Sequence, residues 1–290
     1  MKIGIGLPNP VPGVPGTRLV EWAQRAEQRG FASLATIDRI AYPNHDSLTT
    51  LAAAAGATSR IELHTNILVA PVYQPALLAK TAASLDQLSG GRFSLGLAVG
   101  GREDDYDVAG RDFTTRGRDL DAALELMHQA WRGEPVAGSP HPIAPVPVHD
   151  QRVPVMVGGT SDAAVRRAVT YGAGWTGGGG TPEMAAGLVA KVRAAWDEAG
   201  RTEEPRFAAL AYFSLGDEHE AESQQYLRHY YGFLGDYAGM IADGALRSDD
   251  AIRGAVAAFE EAGITELTFD PTVASLDQVD RLADLLLQDG

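Results

Sequence analysis

The chain contains no cysteine in 290 residues, which excludes disulfides, thiolate metal sites and cysteine nucleophiles. Long apolar runs are also missing: none approaches the roughly 20 residues that cross a bilayer as a helix. The opening MKIGIGLPNP holds one lysine, and Pro8 and Pro10 cut its apolar run below the length of a secretory signal core. A cytoplasmic protein with no membrane partner is therefore expected. Basic residues are scarce, 24 Lys and Arg against 38 Asp and Glu, for a net charge of −14. That balance repels nucleic acid and anionic lipid surfaces. GxSxG, HExxH and P-loop patterns are absent, and the seven histidines never fall at i, i+4 on one helix with a carboxylate. No metal site is expected.

What is present is a rhythm. Residues 60–101 read as a short apolar strand, an amphipathic helix closed by Gly90-Gly91, and a second apolar strand, which is a βαβ unit of a parallel sheet. The same alternation predicts strands at 3–7, 31–37, 155–157, 174–176, 207–215 and 264–269. Helices are predicted at 17–29 (with Thr17 as N-cap), 48–57, 120–131, 162–171, 182–199, 248–262 and 276–287. Residues 103–118 read as a polar loop, 218–242 as a tyrosine-rich helical insertion, and the proline-rich 133–154 as a short hairpin laid over the barrel. Eight strands alternating with helices over residues 1–290 predict one (β/α)8 TIM barrel, a single α/β domain with insertions after strands four and seven.

In such a barrel the site lies at the carboxyl ends of the strands. That rule selects 7–9, 38–42, 66–71, 100–105, 158–161, 177–181, 214–217 and 270–272, and with them Leu7, Asp38, Tyr42, Asn66, Ile67, Gly100, Gly101, Gly158 through Ser161, Gly177 and Gly178. Gly158, Gly159, Thr160 and Ser161 precede a helix, whose free N–H groups and positive dipole favour an anion such as phosphate. The alternative is a turn with Thr160 or Ser161 as helix cap. Glu103, Asp104 and Asp105 suit a solvated loop better than a catalytic pair, and His64, in mid-strand, suits a satisfied barrel histidine. Asp38 and Arg39 end the second strand, where a structural ion pair competes with a role in catalysis.

These residues resemble the bacterial luciferase-like monooxygenases, a barrel superfamily that uses FMN or the deazaflavin coenzyme F420. The match rests on LAKTAASLDQLSGGRFSLGLAVGG (78–101) with REDDYDVAG (102–110), and is supported by 25–39, 61–76 and 153–175. The resemblance implies an oxidoreductase that exchanges hydride with, or oxygenates, a small organic substrate above the ring, in a homodimer. It implies a non-prolyl cis peptide at Asn66-Ile67 against the ring and Ala98 to Gly101 beside it. Gly158, Gly159, Thr160 and Ser161, with Gly177 and Gly178, would hold the phosphate. Many relatives carry His where this chain has Arg39. A guanidinium keeps its proton, so Asp38, Tyr42 or solvent would have to supply proton transfer. Two alternatives remain at this point: a non-catalytic flavin-binding or partner subunit, and a flavin-free barrel enzyme acting on a phosphorylated metabolite.

Overall fold

Alternation along the strands decides the architecture. The computed structural model describes residues 1–149 and 152–287. Its strands are β1 (Lys2–Gly6), β2 (Ser33–Thr36), β3 (Glu62–Thr65), β4 (Leu68–Val69), β5 (Phe93–Ala98), β6 (Val155–Gly158), β7 (Gly174–Gly177), β8 (Arg206–Phe213) and β9 (Glu266–Pro271). All pair in parallel in the order β3-β2-β1-β9-β8-β7-β6-β5-β4, and β3 also pairs with β5, which closes the ring. β3 and β4 are two halves of one barrel strand, interrupted at Asn66-Ile67, whose peptide bond is cis. The result is the expected eight-stranded barrel.

Ile5, Leu34, Leu63, Leu95, Val157 and Phe269 face outward into one apolar layer with the helices. The inward positions are polar or small apart from Met156 and Leu210. Three hydrogen bonds join strands that are not neighbours in the sheet, so they cross the interior. Arg206 Nη1 donates to Ser94 Oγ (2.9 Å), His64 Nε2 meets Thr268 Oγ1 (3.3 Å), and Thr176 Oγ1 donates to Asn66 Oδ1 (2.7 Å). They mark three levels, from the amino-terminal end of the barrel to its mouth. Arg206 also grips Glu266 at the lowest level (2.6 and 2.7 Å). Burial in the middle level pushes the His64 imidazole down to about 4, so it is neutral at ordinary pH, as a satisfied barrel histidine should be.

The helices are α1 (Gly16–Gln28), α2 (Ser47–Ala57), α3 (Pro75–Ser89), α4 (Glu103–Val108), α5 (Arg116–Trp131), α6 (Asp162–Tyr171), α7 (Pro182–Glu198), α8 (Glu220–Tyr230), α9 (Tyr237–Asp243), α10 (Asp249–Glu261) and α11 (Asp277–Leu286). Asp46 accepts from Thr49 N at the start of α2 (2.7 Å), and Gly90 ends α3 in the left-handed region at φ 69. Two expectations need correction. α1 starts behind Pro15 with no side-chain cap, so Thr17 lies inside it. The polar stretch 103–118 is not a loop: Glu103, Asp104 and Asp105 occupy the first turn of α4, where acidic side chains favour the helix dipole. The proline-rich segment does carry the antiparallel bridge of a short hairpin, Pro135 to Pro142, and lies against α3. Prolines cannot donate to a ladder, so its carbonyls take side-chain donors instead, Lys80 Nζ on Ala144 (3.0 Å) and Gln87 Nε2 on Val146 (2.8 Å). Asp150 and Gln151 of that segment lie outside the described residues.

Candidate cofactor site

The interruption between β3 and β4 places Ile67 against the neighbouring strand ends. A methyl group on Gly158 would stand 3.2 Å from both Ile67 Cγ2 and Ala98 Cβ. Gly100, at φ 69, packs its Cα against Val69 so closely that a methyl there would lie 2.7 Å from Cγ1. Asn66, Ile67, Ala98, Gly100 and Gly158 are thus one contiguous patch, and Thr176 ties Asn66 to β7. Gly101 is exposed with nothing within 4 Å of its open side. Beyond the patch, Gly159, Thr160, Gly177, Gly178 and Thr181 share the lining of a cavity of about 90 Å³ with apolar side chains that include Trp175, Met184, Leu188 and Phe259. It lies at the start of α7, next to the turn that leads into α6. A cleft of about 530 Å³ shares Gly180, Thr181 and Phe259 with it and has no charged residue in its lining.

The remaining candidates lie elsewhere. Ser161 spends its hydroxyl on the N-cap of α6, accepting from Ala164 N at 3.2 Å. Leu7 is fully buried among outward-facing core residues. Asp38 is buried beneath β4, where its carboxylate accepts from Val69 N (3.0 Å), Tyr73 Oη (3.0 and 3.1 Å) and Ser47 Oγ (3.3 Å). Burial, partly offset by these bonds, raises it to about 6. Asp38 does not pair with Arg39. Arg39 instead binds Asp104 (2.6 Å) and the Tyr230 carbonyl (3.0 Å). Asp105 is buried, not solvated, and holds the amides of Ile40 and Ala41 (2.8 and 2.7 Å).

The insertion carried by α8 roofs the mouth. Tyr42 Oη bonds His229 Nδ1 at 2.8 Å, so it ties the loop after β2 to α8. Arg102, from the end of β5, lies over the rings of Tyr230, Tyr231 and Phe233 at 4.5, 5.5 and 4.7 Å from their centroids. Tyr231 in turn bonds Tyr212 of β8 (2.6 Å).

A family model described as luciferase-like monooxygenase matches residues 1–278. The chain belongs to that family. Within it, this luciferase-like protein is 33% identical over 213 residues to protein Rv0940c of Mycobacterium tuberculosis, covering 64% of this chain and 74% of the relative. It is 28% identical over 201 residues to an F420-dependent glucose-6-phosphate dehydrogenase of Kribbella flavida, covering 63% of this chain and 60% of that one. By fold it is similar to the monooxygenase RslO1 of Streptomyces bottropensis, with TM-score 0.79 and 20% identity over 99% of each chain. Members of the luciferase-like family use F420 or FMN.

Sequence reasoning reaches the residues of this mouth by position but not their surroundings. Arg102 falls in the strand-end stretch 100–105, and its aromatic partners are more than 120 residues away in sequence. Tyr230 and Tyr231 belong to the tyrosine-rich insertion. Asp270 ends β9, where the strand-end rule selects it by position alone. It is fully buried, and neither carboxyl oxygen has a hydrogen-bond partner.

Proposed function

We propose that this protein is an oxidoreductase that holds F420 or FMN at the carboxyl end of its barrel and acts on a small organic substrate over the ring. The observation that carries the reading is the meeting of Ile67, Ala98 and Gly158 next to a cavity built from Gly159, Thr160, Gly177 and Gly178. The residues fit such a group. Glycine at 158, 178 and 101 keeps the walls free of Cβ atoms, Asn66 Nδ2 is a buried donor without a partner, and the small cavity offers amides to a phosphate. When bound, the cofactor supplies the electron chemistry; the protein supplies orientation, phosphate anchoring and exclusion of water. Asn66, Ile67, Ala98, Gly100 and Gly101 would cradle the ring, with Gly158, Gly159, Thr160, Gly177 and Gly178 around the phosphate.

Asp38 reads here as a positioning residue, because its oxygens hold Val69 and thereby the second half of the interrupted strand. Arg39 is spent on Asp104 and on the roof. We favour F420 over FMN on the Kribbella flavida relative. F420 transfers hydride and does not form the oxygen adduct that monooxygenation needs, so cofactor identity selects the reaction class. Titrating the purified apoprotein with F420 and with FMN, followed by fluorescence quenching, tests the reading. Saturable binding of one of them is expected. Binding of neither, with binding of a sugar phosphate, overturns it in favour of a flavin-free enzyme. Binding without turnover of any substrate panel marks a flavin-binding subunit.

A further inference from the structure

Asp270 and Asn66 stand one step above the middle level of the barrel interior. Thr268 and His64 meet at 3.3 Å, and two residues further along their strands come Asp270 and Asn66, both with inward side chains. Each carries polar atoms that no protein group satisfies: both oxygens of Asp270, and Nδ2 of Asn66, whose Oδ1 is already taken by Thr176. Both residues are buried, at 0% and 4% exposure. A buried polar group without a partner destabilises the fold, so two on one level are not explained by stability.

The space around them is kept open by small side chains. A methyl group on Gly6 would overlap Asp270 Oδ1, so the carboxyl lies flat over β1. Ala98 and Gly158 border the same level from β5 and β6. Tyr212 pairs in register with Asp270 from β8, and Tyr226, Tyr230 and Tyr231 pack with Tyr212 in one cluster. β1 contributes only Gly6 here, and His64 below is neutral. Of the arginines nearest the mouth, Arg39 is paired with Asp104 and Arg102 lies among aromatic rings.

We propose that Asp270 and Asn66 form the hydrogen-bonding floor of the ligand site and take the carbonyl–imide edge of a planar, uncharged heterocycle. The proposal rests on the cofactor reading above and assigns two of its contacts. Asn66 Nδ2 can only donate, which suits a ring carbonyl. A neutral carboxyl offers one O–H and one acceptor, which suits an adjacent carbonyl and N–H. Burial raises Asp270 from the ordinary carboxylate range, which favours that form over the carboxylate. An anionic group would meet no free cation at this level among the described residues.

The test compares wild type with Asp270→Leu and Asp270→Asn, each melted without ligand and titrated with F420 and with FMN. Leu removes an unsatisfied buried polar group, so its melting temperature should rise. Its affinity for whichever cofactor the wild type binds should fall about tenfold, the loss of one or two neutral hydrogen bonds, and the absorption spectrum of the bound ring should shift. Asn, which can still donate and accept, should recover most of the affinity and the spectrum. A Leu variant with wild-type affinity and spectrum overturns the floor while the cofactor reading stands. A wild type that binds neither cofactor overturns both. If the Leu variant does not fold, Asp270→Ala is read by the same titration and spectrum, with the same two outcomes.

Discussion

At the scale of the residue, Asp38 shows what a strand-end position does and does not reveal. Its place at the end of β2 was legible from sequence. Its occupation was not, because Ser47, Val69 and Tyr73 lie 9, 31 and 35 residues further along the chain. A consequence follows for stability. The carboxyl has an ordinary value of 3.8 and stands at about 6 in the fold, raised chiefly by burial. Between those values the native state keeps a proton that the unfolded chain has released, so stability falls as pH rises. The Asp38 contribution is full below 3.8 and gone above about 6. Asp38→Asn keeps an acceptor for Val69 N and does not titrate. The unfolding free energy of the variant minus that of the wild type should therefore rise by roughly 2 to 3 kcal/mol from pH 4 to pH 7. Urea unfolding at several pH values measures it, and a flat difference would refute the assignment. The subtraction matters, because neutral His64, lowered to about 4, has the opposite dependence: its contribution is present above the usual imidazole value and is lost as pH falls through about 4.

At the scale of the element, local pattern was read well and contact between distant elements poorly. Strand and helix order came from period and turn residues, and most boundaries moved by only one to three residues. Acidity was misread: Glu103, Asp104 and Asp105 look like a solvated run, but they start α4, and two of them brace Arg39 and the loop after β2. The roof illustrates the same limit, since no periodicity in residues 220–234 says that Arg102 will lie among their rings. Each cation–π contact is worth about 0.5 to 1 kcal/mol at a partly exposed site. Arg102→Ala removes three of them and should raise the opening of the roof by roughly tenfold or more. Hydrogen exchange should then accelerate over residues 231–237, while amides in β8 and β9 keep wild-type protection. Unchanged exchange in the roof would show that Tyr42–His229, Arg39 and Tyr212–Tyr231 hold it closed without Arg102.

At the scale of the whole molecule, closure of the barrel depends on a seam that the strand count concealed. Third and fourth barrel strands looked equivalent in sequence, yet β3 meets β5 through only Leu63–Phe93 and His64–Ser94 before the interruption, and β4 resumes with Leu68–Leu97 and Val69–Ala98. Gly96 lies opposite the gap. Its carbonyl accepts from Thr65 Oγ1 at 2.6 Å, and a methyl on its Cα would overlap the Thr65 backbone oxygen. Backbone cannot step aside as a side-chain tip can, so Gly96→Ala must part the strands where they are least bonded. A loss of about 3 kcal/mol or more is expected, in the range of overpacked cores and broken buried networks. Gly56→Ala is the matched control. Gly56 sits in α2 with nothing within 4 Å of the added methyl, and the exchange should stabilise by up to about 1 kcal/mol through helix propensity. Denaturant midpoints moving in opposite directions for the two variants would establish that the seam between β3 and β5 limits the stability of the barrel. A Gly96→Ala midpoint equal to wild type would mean the strands separate there without cost, and the patch of Ile67, Ala98 and Gly158 would then lose the rigid wall that the cofactor reading requires.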